Sequence, residues 1–168
     1  MYIRLKKRKN NSKKYYTYAY LVKSKYRKNY PKQKVLEYLG RVYWFNRIKK
    51  KEIKISTLIK KDLKRIIRSL IINELINHGF KLKNRIFYNK SVFVDIENFR
   101  VFNESNKPIC IKLNDGYLCD YTLKAVFNKE LPNATTKTVG KELAKRLIDA
   151  GIKINPEIFL LLMEKTGL

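Results

Sequence analysis

Tyr15-Tyr-Thr-Tyr-Ala-Tyr-Leu-Val-Lys-Ser24 is the stretch on which the fold turns. Aromatic and β-branched side chains favour a pleated surface, so it reads as a strand. At a period of two, Tyr16, Tyr18, Tyr20 and Val22 share one face, and Tyr15, Thr17, Ala19, Leu21 and Lys23 share the other. At least half of these tyrosines are expected to pack the strand onto the rest of the protein. Upstream, Tyr2-Ile-Arg-Leu-Lys-Lys-Arg8 alternates apolar and basic residues, the pattern of a second half-buried strand, and Asn10-Asn11-Ser12 forms the turn between the two. Downstream, a basic loop containing Pro31 leads to Gln33-Lys-Val-Leu-Glu-Tyr-Leu39, a third strand ended by Gly40. The sum is a three-stranded antiparallel meander with two Lys/Arg-rich loops.

Charge is concentrated on the same segment. The 168 residues carry 39 Lys and Arg against 14 Asp and Glu, a net of +25. Residues 1–68 hold 24 of those cations and only Glu37, Glu52 and Asp62 as acids. Solubility needs a net charge of only about 2–8 in a small domain, so a one-sided field of this size implies a polyanionic partner. A composition that is 45% hydrophobic and 12% aromatic excludes a disordered chain. No stretch resembles a signal peptide or reaches the ~20 apolar residues of a membrane span. A cytoplasmic protein with no membrane partner is expected. The Lys and Ile excess with a single Gln is thermophile-like or archaeal in character, although an AT-rich genome produces the same bias.

Met1-Tyr-Ile-Arg-Leu-Lys-Lys, the polar turn, Tyr15-Tyr-Thr-Tyr-Ala-Tyr-Leu-Val and Lys34-Val-Leu-Glu-Tyr-Leu-Gly-Arg41 together resemble the N-terminal strands of transposases of the IS4/IS1634 type. The resemblance covers residues 1–42, and its most specific part is Tyr38-Leu39-Gly40-Arg41. In that family the segment precedes a DDE nuclease domain and helps hold DNA. This chain shows no matching set of three separated acids, so the resemblance implies DNA contact and not strand transfer.

An aromatic connector, Tyr43-Trp44-Phe45, is expected to anchor the meander to the body of the protein. Ser56 then reads as the cap of a helix from Thr57 to Asn77, stopped by Gly79. Ile59, Leu63, Ile66, Ile67, Leu70, Ile71 and Leu75 form its apolar stripe. Lys60, Lys61, Lys64, Arg65 and Arg68 lie on the other side, near the helix N-terminus, where the macrodipole disfavours cations. His78, at the far end, reads as structural.

Short strands come next, at Arg85–Tyr88, Ser91–Ile96, Phe99–Phe102 and Ile109–Leu113, with a strong turn at Asn114-Asp-Gly116. Asp120 is expected to cap a helix to Glu130. Thr136 or Thr138 starts another, with Val139, Leu143, Leu147 and Ile148 on one face. Asn155-Pro156-Glu157 opens an almost wholly apolar last helix. A homodimer through these C-terminal helices and burial within one chain explain that apolarity equally well.

Chemistry-bearing residues are few. Cys110, Cys119 and His78 cannot furnish four zinc ligands, so no metal or other cofactor is expected. The cysteines are close enough in sequence for a disulfide, but two buried free thiols are the plainer expectation. Asp95 and Glu97 on one strand face, with Lys112 on a later strand, superficially match a metal-dependent nuclease. The position two before Lys112 is Cys110 rather than an acid, which breaks that pattern.

The sequence therefore predicts an α+β protein: a basic meander and connector over 1–55, and a body over 56–168 with a long amphipathic helix, a second small antiparallel sheet and a C-terminal helical hairpin. It predicts a non-enzymatic nucleic-acid-binding protein, DNA favoured over RNA. The binding residues would be Arg4, Lys6, Arg8, Lys13, Lys14, Lys23, Lys25, Arg27, Lys28, Lys32, Lys34 and Arg41 on the meander, with Lys60, Lys61, Lys64, Arg65 and Arg68 on the helix. An RNA- or ribosome-associated protein and a metal-dependent nuclease are the alternatives.

Overall fold

The structure, a computed structural model, describes residues 1–9, 11–27, 30–128 and 136–166, with the backbone alone at 26, 27, 30, 31 and 136–138. The meander is present: β1 (Tyr2–Lys9), β2 (Tyr15–Arg27) and β3 (Tyr30–Trp44) pair antiparallel in sequence order. Gly40 does not end the third strand. It adopts φ +114°, and a Cβ there would lie 2.3 Å from the Pro108 carbonyl oxygen. Only glycine allows both that backbone and that approach. The chain runs on through it, and Arg41–Trp44 pair in parallel with Ile109–Lys112 of β8 (Ile109–Leu113).

β8 and β9 (Gly116–Leu118) thus complete a five-stranded sheet in the order β1-β2-β3-β8-β9. Strands from both sides of residue 55 share it. β8 is buried on both faces. Ile109, Ile111 and Leu113 enter the main core, while Cys110 enters a smaller one with Ala19, Leu21, Leu39, Val42 and Cys119. The two cysteines are free and buried. A hydrogen bond to Cys119, together with burial, pushes the Cys110 thiol well above its ordinary range.

The tyrosines of β2 stay out of the core. Thr17, Ala19 and Leu21 are buried on the opposite face, with Ile3 and Leu5 of β1 packed against the same small core, while on the tyrosine face Val22 is fully buried. Small and aliphatic side chains on the Thr17 face line up with Leu39, Val42 and Cys110 of the same sheet and let Cys119 and Tyr121 pack over them, which three tyrosines would hold away. Tyr16, Tyr18 and Tyr20 are left half-buried on the opposite face.

The connector holds the sheet to the body. Tyr43 and Phe45 pack on the main core, Phe45 with its ring 4.9 Å from that of Phe80, whereas Trp44 is 57% exposed. Residues 48–51 are strapped to the helix end by Asn77, whose carbonyl accepts from the amides of Ile48 and Lys49.

Ser56 falls in a 3-10 turn (Ile55–Thr57), and α1 spans Leu63–Asn77, later than its sequence suggests. Asp62 is the N-cap, accepting from the Arg65 amide at 2.8 Å. Carboxylates cap helices as well as hydroxyls do, and this one also offsets the neighbouring cations. Ile66, Ile67, Leu70, Ile71 and Leu75 are buried as the stripe requires, but Ile59 lies outside the helix and is 50% exposed.

A second antiparallel sheet comprises β4 (Lys81–Lys83), β5 (Ile86–Asn89), β6 (Val92–Asp95) and β7 (Arg100–Asn103). Its Phe87, Val92, Val94 and Val101 close the main core over α1. α2 (Asp120–Phe127) is capped by Cys119, whose amide donates to the Thr122 hydroxyl at 2.9 Å. Asp120 serves differently: its carboxylate accepts from the Val101 amide at 2.7 Å and ties α2 to β7. Glu130, the predicted helix end, lies outside the described residues. α3 (Thr136–Asp149) buries Leu143, Ala144 and Leu147, with Ile148 48% exposed. α4 (Pro156–Lys165) opens on Asn155 as N-cap and Pro156 at its first position. The architecture is α+β, with four helices and two sheets among the described residues. Among the described residues no helix is long and apolar enough to cross a membrane.

Candidate nucleic-acid interface

The predicted binding residues fall into three groups. The first is a ribbon. β1 stops pairing where Tyr2 meets Val22, so β2 and β3 continue past the sheet as two strands alone. Two bulges set the register there: Leu39 is extra in β3 beside the Ala19–Tyr20 step, and Leu36 beside the Leu21–Val22 step. Bulges strengthen local twist and re-aim the residues beyond them.

The resulting register places Lys23 opposite Lys34 and Lys25 opposite Lys32. All four are exposed, and since residues two apart share a face, all four project from the same side. Directly opposed like charges, with Cβ atoms about 5 Å apart, destabilise a sheet. Glu37 is the only acid in residues 1–44, against 14 Lys and Arg. Ser24 and Gln33 meet on the other side of the ribbon. Gln33 accepts from Arg4 and donates to the Tyr2 hydroxyl, bracing the ribbon on β1. The side chain of Arg27 and the whole of Lys28 lie outside the described residues.

The second group covers the tyrosine face of the sheet. Arg4, Lys6 and Arg8 pair with Tyr20, Tyr18 and Tyr16 across the β1–β2 ladder. Arg41 lies 3.8 Å from the centre of the Tyr16 ring and 5.0 Å from that of Tyr43, and the Lys6 ammonium lies 5.3 Å from that of Tyr20. Tyr38 completes the patch, its ring 5.4 Å from Tyr20 and 6.2 Å from Tyr18. Burial among these rings, then the phenols of Tyr18 and Tyr20, push the Tyr38 hydroxyl above its ordinary range. A cation over a ring gains about 0.5–1 kcal/mol at an exposed site, so the rings hold the guanidinium and ammonium groups in place. Lys13 and Lys14 are exposed at the β1–β2 turn.

The third group stands apart. Lys60 and Lys61 occupy the turn before α1, where the Lys61 ammonium donates to the Ser69 hydroxyl at 2.9 Å. Lys64, Arg65 and Arg68 line a cleft of about 660 Å³ formed by α1, the β6–β7 turn and α2, and among the described residues its wall includes none of the meander. Arg65 pairs with Asp62 at 3.4 Å and Arg68 with Glu97 at 2.7 Å.

The acids proposed for a nuclease are otherwise occupied. The β6 strand ends at Asp95, so Asp95 and Glu97 do not alternate along one strand face. Asp95 accepts from the amides of Glu97 and Asn98, each at 3.0 Å, and from the Asn98 side chain at 2.8 Å. Partial burial works to raise its carboxyl, but these hydrogen bonds, with Arg100 nearby, win and hold it below its usual range. Among the described residues no three His, Cys, Asp or Glu side chains cluster as a metal site.

His78 has a partner that the sequence pattern alone did not reveal. Its Nδ1 lies 2.8 Å from the Glu74 carbonyl oxygen and 3.4 Å from the Glu74 carboxylate, and both side chains are buried. Asn114 donates to that carboxylate at 2.8 Å, and Arg47 lies 3.8 Å away. The i,i+4 spacing of Glu74 and His78 was the available signal. Also missed were Lys7 and Lys9, on the basic strand itself, and Tyr38, whose place opposite Tyr20 depends on the bulge. The chain matches no family model, and it is similar to no curated protein and no solved structure with which it has been compared.

Proposed function

We propose that this protein binds duplex DNA in the cytoplasm, without catalysis, by laying the β2–β3 ribbon into a groove. The observation that carries the reading is the four-lysine side of the ribbon, in which Lys23 opposes Lys34 and Lys25 opposes Lys32. A surface that accepts this repulsion when free is relieved when phosphates lie against it. A two-stranded ribbon fits the major groove of B-form DNA, whereas the deep, narrow major groove of A-form RNA does not admit one. That geometry favours DNA over structured RNA. The transposase-like pattern of residues 1–42 points the same way.

The tyrosine face supports a second reading. Half-buried rings beside an exposed Tyr38, set among arginines and lysines, suit unpaired bases, each worth about 1–3 kcal/mol when stacked. Fluorescence anisotropy with duplex DNA, an RNA hairpin and a single strand of equal length, titrated with salt, separates the readings. Duplex DNA bound most tightly, with a steep fall of affinity as salt rises, is the expected result. Preference for the single strand transfers the function to the tyrosine face, and a flat salt response removes both readings.

A further inference from the structure

The third cationic group and the cleft it lines are not explained by a ribbon in a groove. Its walls come from three places far apart in sequence: Lys64, Arg65 and Arg68 from α1, Phe99 from the β6–β7 turn, and Lys124 and Phe127 from α2. The floor is apolar and aromatic, with Phe99 and Phe127 in contact at 5.2 Å and tilted by 41°. Among the described residues four cations line this cleft against one carboxylate, Glu97, which Arg68 already neutralises, and Arg65 pairs with Asp62. Among the described residues neither Lys64 nor Lys124 has an ion pair, and both are exposed.

Phe99 is held there at a cost. Its φ is +54°, in the left-handed region that a bulky aromatic residue rarely adopts. The Asp95 carboxylate enforces this by accepting the amides of Glu97 and Asn98, which turns the chain so that Asp95 and Arg100 meet in the ladder. Asparagine or glycine would fill this position without strain. An aromatic residue there trades backbone comfort for a ring on the cleft floor.

We propose that this cleft is a nucleotide site, taking one base on the Phe99–Phe127 floor and its phosphate between Lys64, Arg65 and Lys124. A volume of about 660 Å³ is ordinary for a small-ligand site, and apolar walls with a few convergent polar groups are the usual lining of one. The aromatic floor selects for a ring, and the unpaired lysines select for an anion attached to it. A nucleoside monophosphate unit combines the two, either free or as the phosphorylated end of a strand. Lys124 also lines a neighbouring depression that reaches Met1, so the cleft adjoins the sheet at the start of β1. The proposal stands on the lining of the cleft and not on the ribbon.

Calorimetric titration of the full chain with AMP, adenosine and inorganic phosphate tests it. AMP is expected to bind with a Kd below about 1 mM. Removal of the phosphate, as in adenosine, or of the cations, in a Lys64→Ala/Lys124→Ala variant, is expected to weaken binding at least about tenfold. Phe127→Leu keeps an apolar residue in place and removes the ring. It is expected to weaken AMP while the melting temperature changes by no more than a few degrees. Displacement of AMP by a 5′-phosphorylated octathymidylate, and not by the 5′-hydroxyl form, identifies a strand end as the ligand; AMP undisplaced by either identifies the free nucleotide. No saturable AMP binding, AMP binding unchanged in the double-lysine variant, or phosphate binding as tightly as AMP would each overturn the proposal. DNA binding that persists when AMP fails sinks this site alone, and AMP binding that persists when DNA fails sinks the ribbon alone.

Discussion

Replacing Lys23, Lys25, Lys32 and Lys34 together by glutamine separates a binding surface from a structural one, because the two quantities move in opposite directions. Glutamine preserves length and removes charge. In the free protein, two directly opposed like-charge pairs disappear. At about 0.2–1 kcal/mol for each cross-strand pair, stability should rise by about 0.4–2 kcal/mol. In a chain of this length that is a gain of a few degrees in melting temperature. Binding should move the other way. If each lysine neutralises one phosphate, the slope of log K against log salt flattens by about 0.9 per lysine on duplex DNA, about 3.6 in all. Extrapolated from 1 M to 0.15 M salt, the same release accounts for about a thousandfold in affinity. Thermal melting followed by circular dichroism and salt-titrated anisotropy on the same preparation measure both. A variant that melts lower and binds more weakly has only lost its fold, and the reasoning fails. So does an unchanged slope, which would show that the ribbon lysines touch no phosphate.

Packing sets three further outcomes. Gly40→Ala should destabilise by about 2–5 kcal/mol, seen as a lower urea midpoint, because it meets a disallowed φ and the Pro108 carbonyl at once and would break the β3–β8 pairing. Glu74→Leu should cost about 2–4 kcal/mol, since it removes the buried carboxylate that accepts from Asn114 and lies beside Arg47 and His78; the double variant Glu74→Leu/His78→Phe should recover part of the loss. The carboxyl of Asp95 is held below its unfolded value, so the stability it contributes is present above the ordinary carboxylate range and is lost as pH falls through its folded value. The stability advantage of the native protein over Asp95→Asn should therefore shrink to nothing in acid, measured by urea unfolding at stepped pH; an advantage that persists there would contradict the assignment.

The residues legible in advance are those whose behaviour is local. Alternation in Tyr2–Arg8 and Tyr15–Ser24 was enough for two strands, and Asn155-Pro156 for the start of the last helix, because strand period and cap chemistry involve only sequence neighbours. The helix stripe from Ile66 to Leu75 was equally plain, though its beginning was not. Ser56 and Asp62 are both competent caps, and the choice fell to the residues between them, which make a separate turn. The face of β2 was undecidable for a similar reason. Both faces carry enough apolar surface to be buried, and it is the packing of Cys119 and Tyr121, at the start of α2, on one face that selects Thr17, Ala19 and Leu21 over the tyrosines.

By itself, then, the sequence determined a basic meander, a long amphipathic helix and the sign of the field around them, since composition and period do not depend on what lies across the core. Tertiary structure alone decided where that field is focused. Lys23 faces Lys34 only because Leu36 and Leu39 bulge from β3, and β3 reaches β8 only because Gly40 can turn against Pro108. The cleft of Lys64, Phe99, Lys124 and Phe127 exists only once a helix, a hairpin turn and a second helix converge on one core. Register and convergence are set by contacts between residues distant in sequence, and no window along the chain contains both partners.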